Sequence, residues 1–335
     1  MFYYISARLP AFVQHHAVLD LKPFLAKGPF VDLTAYFPKT VESCKSGSGL
    51  YCFPFHFSTD MLFYNKDLFD KAGVPYPDNR WTWDDFAKAA KALTIVRDGK
   101  TAQYGTLQPR PLLLMKSFGG NCFEGARCVI DRAAGKKSIV FLDALVRSGS
   151  APQTAALRDI EIMDGVTLFS TGRVGMLLGR TYMLVEFSKL KDIAWDVALV
   201  PQGDTRYSRL AVGGNCISSK TRHPQEAWAF VQFFSGPEGS RILGTFRNAI
   251  PALESAARSQ TFLRSPPDHV QVFLEALETA QIENPGMILW QEYLDKVLQP
   301  GVEAVLLGKI SIPDALRQMR LRGEDILREE AQLRK

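Results

Sequence analysis

No apolar run in the 335 residues approaches the roughly 18 to 20 that a membrane-spanning helix needs, so no segment reads as transmembrane. Nor is there a basic stripe: 40 Lys and Arg are scattered among 35 Asp and Glu for a formal charge of +5, which argues against nucleic acid as a partner. The densest basic stretch, Arg317, Arg320, Arg322 and Arg328, is interrupted by Glu324, Asp325, Glu329 and Glu330 and reads as a solvated helix face. Histidine is scarce, and His15, His16, His56, His223 and His269 have no acidic or cysteine partners at metal-ligand spacing, so no metal is expected. A GxGxxG after a strand, GxxxxGK[ST], HExxH and GxSxG are all missing, so neither a cofactor nor an activated nucleophile is expected. The opening "MFYYISARLPAFVQ" lacks the basic start and small-residue cleavage site of a signal peptide, which by itself points to the cytoplasm. Cysteine is scarce too, and none of the five sits in a CxxC. Cys44 and Cys52 bracket "KSGSGLY", and Cys122 and Cys128 bracket "FEGAR". Either spacing suits a hairpin-sized disulfide in an oxidising compartment, and unrelated buried thiols are the alternative; Cys216 reads as a core thiol.

What is present is apolar: 46% hydrophobic residues over this length leave room for two ordinary cores. "MFYYISARL" is β-rich, and Gly49 to Tyr64 is strand-like. Thr82 and Asp85 have the spacing of a capping box, and Phe86, Ala89, Ala90 and Leu93 then recur at helical period. Asp84 and Asp85 are therefore helix-start chemistry rather than a catalytic pair. Pro109 and Pro111 around Arg110 suggest a crossing segment, after which "LLLMKSFGGNCF" reads as a helix ending at Gly119-Gly120. Further helices are expected near 137–148, 224–235, 238–246, 268–280, 287–307 and 313–331, with strands at Val174 to Leu178, "WDVALVPQG" and "LAVGGNCISS". Short strands alternating with helices predict an α/β fold.

In this setting "YCFPFHFSTDMLFYNKDLFDKAGVPYPDNRWTWDDFAKAAKALT" resembles the core of the extracellular solute-binding proteins of ABC importers, the family of the maltose-binding and glycerol-3-phosphate-binding proteins. "FGGNCFEG", "FSTGRVGMLLGR", "VPQGD", "VGGNCISSKTRHPQEAWAFVQFFSGPEGSRIL" and "AIPALESA" continue the likeness in order along nearly the whole chain. Arg173 and Gly175 stand where the family has lysine and alanine. Members of the family carry a signal peptide, often a lipidated cysteine, and a strand-helix-strand unit ahead of the segment matching "FYYISA". The expectation is therefore of a first lobe without its opening strands, whether through start-site assignment or true truncation.

The resemblance implies a periplasmic-binding-protein-like type II fold, two α/β lobes joined by a multi-strand hinge, with 1–108 and 216–265 in the first lobe and 109–215 and 266–335 in the second. It implies capture of a mono- or oligosaccharide between the lobes and delivery to ABC permease subunits by a monomeric, periplasmic or extracellular protein, membrane-anchored in its full-length precursor. Neither enzyme activity nor a cofactor is implied. A sugar needs an aromatic platform and fixed polar groups. The candidates are Phe55, His56, Ser58 and Thr59 after Pro54; Gln108 and Arg110 at the first crossing; Arg180 and Tyr182, the ring being the best platform; Gly213, Gly214 and Asn215; and Trp290. His56 is expected to make a polar contact rather than act as a base. Glycerol 3-phosphate or a glycerophosphodiester is the alternative solute, although "PGMILWQ" lacks the arginine that holds phosphate in those relatives. A cytoplasmic α/β enzyme and a non-binding remnant are the rival readings.

Overall fold

A computed structural model of the chain describes residues 2–5, 8–26, 32–153, 162–283 and 286–334. Its strands are, in chain order, β1 (Phe2–Ile5), β2 (Lys45–Ser46), β3 (Gly49–Leu50), β4 (Phe53–Ser58), β5 (Asp60–Asn65), β6 (Ile95–Arg97) and β7 (Lys100–Thr106). They continue with β8 (Phe123–Glu124), β9 (Arg127–Cys128), β10 (Val174–Arg180), β11 (Trp195–Ala198), β12 (Ser208–Cys216), β13 (Ile250–Pro251) and β14 (Ala280–Ile282). One five-stranded sheet has the order β1-β12-β4-β13, with β14 also pairing along β12; the other runs β11-β5-β10-β7-β6. In the second sheet β7 and β10 are parallel and β5 is antiparallel to both its neighbours.

Local sequence explains the elements. All six residues of β5, "DMLFYN", are buried, the pattern of a strand covered on both faces. The turn after it is set by Asn65, whose side chain accepts from Leu68 N at 3.0 Å to cap helix Lys66–Ala72, while Gly73 ends that helix at φ 63°. The expected capping box is present: Thr82 Oγ1 accepts from Asp85 N at 3.2 Å and Asp85 Oδ2 accepts from Thr82 N at 3.0 Å, opening helix Trp83–Ala92. Other expected helices appear as Pro111–Ser117, Ala133–Arg147, Pro224–Ser235, Pro237–Phe246, Val272–Thr279 and Ile312–Leu333.

Strand pairing divides the chain differently from the expected boundaries. β5, β6 and β7, drawn into the first lobe by the sequence reading, belong to the second sheet, and β14, drawn into the second lobe, pairs in the first. The first passage between sheets is the single residue Thr59, linking β4 to β5. Pro109 and Pro111 do not mark it, because Pro111 opens a helix whose first turn has no use for its missing N–H.

Helix Val272–Thr279 touches both sheets, and Phe273 reaches Phe63 of β5 with ring centroids 6.2 Å apart. One apolar core therefore runs from the first sheet onto one face of the second. The other core packs Trp83, Phe86, Leu142, Trp290, Tyr293 and Met319 on the opposite face. Cys44 and Cys52 are disulfide-bonded across the β2–β3 hairpin. Cys122 and Cys128 are free, so the second pairing does not form; the Cys128 thiol packs instead against the last helix, near Met319 O and Gly323.

Candidate ligand cleft

The parallel strands β7 and β10 end on the same edge of the second sheet, and ligands of α/β folds bind at the carboxyl ends of such strands. This edge carries Arg110 after β7, Arg180 as the last residue of β10 and Tyr182 just after it. β5 starts there with Asp60, paired opposite Arg180. The Ser208 hydroxyl, at the start of β12, accepts from Asp60 N at 2.9 Å and donates to Asp60 O at 3.0 Å, fastening one sheet to the other. A further passage follows β14 at Glu283.

Charges from all these segments converge at the junction. Arg110 Nη2 lies 3.1 Å from Asp60 Oδ2 and its Nη1 3.0 Å from Glu283 Oε1. Arg209 Nη1 donates to Glu283 Oε2 at 2.9 Å, and Arg180 Nε stands 3.9 Å from Asp60 Oδ1. Both carboxylates are only 6% exposed, a position that charge tolerates only when paired. Burial works against the charge on Arg110, but Asp60 and Glu283 outweigh it and raise its pKa. Arg180 has its pKa lowered by burial and then by repulsion from Arg209. Its guanidinium lies 5.8 Å from the centre of the Tyr182 ring, a cation–π spacing that leaves the ring partly exposed.

The expected site residues fall into three groups. Ser58, Arg110, Arg180 and Tyr182 lie on the segments that flank the junction, as does Gln108, which donates to Pro152 O at 2.7 Å. The Ser58 hydroxyl is buried and has no hydrogen-bond partner among the described residues. Thr59 is also at the junction but fully buried, its hydroxyl turned to Met61 Sδ at 3.7 Å, which leaves no face for a solute.

The second group lies inside the first lobe. Phe55, 8% exposed, packs on Phe234 with ring centroids 4.4 Å apart. His56 stands edge-on to Phe55, and burial pushes its pKa down to about 4, so it is neutral and unsuited to act as a base at neutral pH. Gly213 pairs across the sheet with His56. The reason for Gly214 is packing: a Cβ there would meet Cys52 Sγ at 2.8 Å and Phe53 O at 2.9 Å. Asn215 is buried and donates to Ser235 Oγ at 2.9 Å. Trp290 stands alone as the third group. At 3% exposure, stacked on Tyr293 and edge-on to Phe123, it is a core residue.

Sequence reasoning missed Asp60, Tyr207, Arg209 and Glu283. The signal available was an ionisable residue at the end of a buried strand, a place that requires a charged partner. A cavity of about 500 Å³ elsewhere, lined by Asp78, Arg80, His269 and Glu275 among others, lies against edge strand β11. Its His269 Nδ1, 2.6 Å from Asp196 Oδ2, has the look of catalytic chemistry. Asp196 Oδ1 also accepts from His269 N at 3.1 Å, so the pair fixes the chain before helix Val272–Thr279. Among the described residues no three His, Cys, Asp or Glu side chains are grouped to hold a metal, and no helix is long and apolar enough to cross a membrane.

Two α/β lobes joined by several chain passages make a periplasmic-binding-protein-like type II fold. The chain belongs to the bacterial extracellular solute-binding proteins, whose family profile matches residues 6–241. A binding protein of Brucella abortus (strain 2308) is 23% identical over 283 residues, 79% of this chain and 65% of its own. The arabinooligosaccharide-binding protein of Bacillus subtilis (strain 168) is 25% identical over 231 residues, 65% of this chain and 51% of its own. The chain thus spans 65% or less of the lengths of these curated relatives. Of solved structures, an ABC substrate-binding protein from Listeria monocytogenes in complex with cycloalternan matches with a TM-score of 0.89 at 24% identity, covering 99% of this chain and 84% of the other. UgpB from Mycobacterium tuberculosis in complex with glycerophosphocholine matches with 0.83 at 17% identity, covering 98% and 84%. The family is one of solute-binding proteins, not enzymes.

Proposed function

We propose that the chain captures a carbohydrate between its lobes and delivers it to the membrane subunits of an ABC importer, acting as a membrane-anchored monomer on the outer side of the membrane. The observation that carries this reading is the partly exposed Tyr182 ring at the lobe junction, beside the Arg180 guanidinium and at the edge where Ser58 has an unused hydroxyl. A ring supplies the platform for the apolar face of a sugar, and the polar groups address its hydroxyl rim. The proposed ligand contacts are accordingly Ser58, Gln108, Arg110, Arg180 and Tyr182, whereas Phe55, His56, Thr59, Gly213, Gly214, Asn215 and Trp290 are read as scaffold. Relatives named for arabinooligosaccharides and structures with tagatose or maltose support a saccharide. Closure of the lobes requires a solute with higher affinity for the closed state.

The test is a thermal-shift screen against mono- and oligosaccharides. A ligand held at 100 times its Kd adds about 2.7 kcal/mol to native stability, which reads as a clear rise in Tm. A well-folded protein that no saccharide stabilises would overturn the proposal. A phosphate-bearing glycerol derivative is the second reading, favoured by the arginine cluster.

A further inference from the structure

Among the described residues, the charges at the lobe junction do not balance. Three guanidiniums, Arg110, Arg180 and Arg209, face two carboxylates, Asp60 and Glu283. Lys116 adds to the excess, its ammonium standing 5.8 Å from the centre of the Tyr207 ring. Within this positive cluster the donors are only partly used. Arg209 spends Nη1 on Glu283, whereas its Nε and Nη2 are buried without a partner among the described residues. The Tyr207 hydroxyl, on a residue 1% exposed, is likewise unpartnered. Arg180 is one-third exposed and, among the described residues, touches no carboxylate closer than 3.9 Å. Buried polar groups in folded proteins are almost always satisfied, so several idle donors gathered around surplus positive charge describe a place shaped for an acceptor.

We propose that this cluster is an anion subsite: the captured solute carries a carboxylate or phosphate group, held by Arg180 and Arg209 with the Tyr207 hydroxyl donating alongside. The inference rests on the solute-binding reading above and adds the charge of the ligand to it. One anionic group neutralises the surplus that the two carboxylates leave, and a guanidinium fork matches both carboxylate and phosphate oxygens. Burial first and Glu283 second push the Tyr207 phenol up, so it stays protonated and able to donate. Tyr182, 5.8 Å from the Arg180 guanidinium, would then face the apolar surface of the same solute.

The experiment uses the full chain and its Arg180→Gln variant, chosen because Arg180 is the arginine least tied to the network. Inorganic phosphate, galacturonate with galactose as its neutral counterpart, and glycerol 3-phosphate with glycerol as its counterpart are titrated by calorimetry and thermal shift. The expected result is that one charged probe binds at least about 10-fold more tightly than its neutral counterpart, and that Arg180→Gln, folded by circular dichroism, removes about 10- to 100-fold of that affinity, the scale of hydrogen bonds to charged groups. Galacturonate and glycerol 3-phosphate distinguish a carboxylate from a phosphate source. Neutral sugars binding as tightly as acidic ones, or binding of the acid unchanged in Arg180→Gln, overturns the anion subsite and leaves the solute-binding reading standing. Failure of every probe, together with failure of the saccharide screen, overturns both.

Discussion

Replacing Asp60 by asparagine tests whether the junction cluster holds the lobes together. Its carboxylate is 6% exposed, 3.1 Å from Arg110 and 3.9 Å from Arg180. At an effective dielectric of about 20, the 3.1 Å contact alone corresponds to roughly 5 kcal/mol of Coulomb attraction. Part of that offsets the desolvation of the buried acid, and breaking one side of a buried pair costs about 3–5 kcal/mol in practice. Asparagine keeps the shape and one acceptor, so we expect Asp60→Asn to lose about 3 kcal/mol, the low end of that range. Urea unfolding followed by fluorescence should show a midpoint lower by about 1 M at unchanged slope, for a slope of about 3 kcal/mol per molar. The double variant Asp60→Asn/Arg110→Gln should cost less than the sum of the two singles, with a coupling of at least about 1 kcal/mol. A loss below about 1 kcal/mol, or simple additivity, would refute the reasoning, because it would mean that the cluster is solvated and its members act independently.

Three further outcomes are expected. Reducing the Cys44–Cys52 disulfide frees a short hairpin loop and should lower stability by about 2–3 kcal/mol, read as a drop in Tm with dithiothreitol that a Cys44→Ala/Cys52→Ala variant does not show. His56 is held near 4 against 6.5 when unperturbed, so below pH 6.5 the unfolded chain takes up the proton first. Stability from this group should therefore be complete above pH about 6.5 and be lost towards pH 4, by up to roughly 3 kcal/mol, and His56→Gln should flatten that part of the curve. Trp290→Ala should cost about 3–5 kcal/mol in chemical denaturation, as for a large buried ring; a loss near zero would place that ring in the cleft instead.

Much of the local structure was legible. The capping box at Thr82 and Asp85 and the acidic start of that helix need only neighbouring residues, and both are as the spacing predicts. What local sequence did not disclose is which strands meet. The passage at Thr59 lies inside an unbroken strand-like run with no glycine or proline to mark it, whereas the prolines around Arg110 announce a helix start. Gly214 looks locally like a place for close approach of a ligand, but what approaches is the disulfide sulfur of Cys52, just ahead of the paired strand β4. Trp290 opens a helical stretch that passes through a π-helical turn at Leu294–Leu298, which rotates its faces and defeats a count by 3.6. Of the cleft, Ser58, Arg110, Arg180 and Tyr182 were visible by resemblance, while Asp60, Arg209 and Glu283 emerge only when distant segments fold against each other.

Calorimetric titration of the saccharide that raises Tm most, on wild type, Tyr182→Ala and Trp290→Phe, bears most directly on the claim that the lobe junction is the binding site. The account predicts saturable one-to-one binding, weakened about 10-fold by Tyr182→Ala, the upper range for loss of an aromatic platform, and unchanged in folded Trp290→Phe. Affinity that survives Tyr182→Ala but collapses in Trp290→Phe would contradict it and move the site away from the junction.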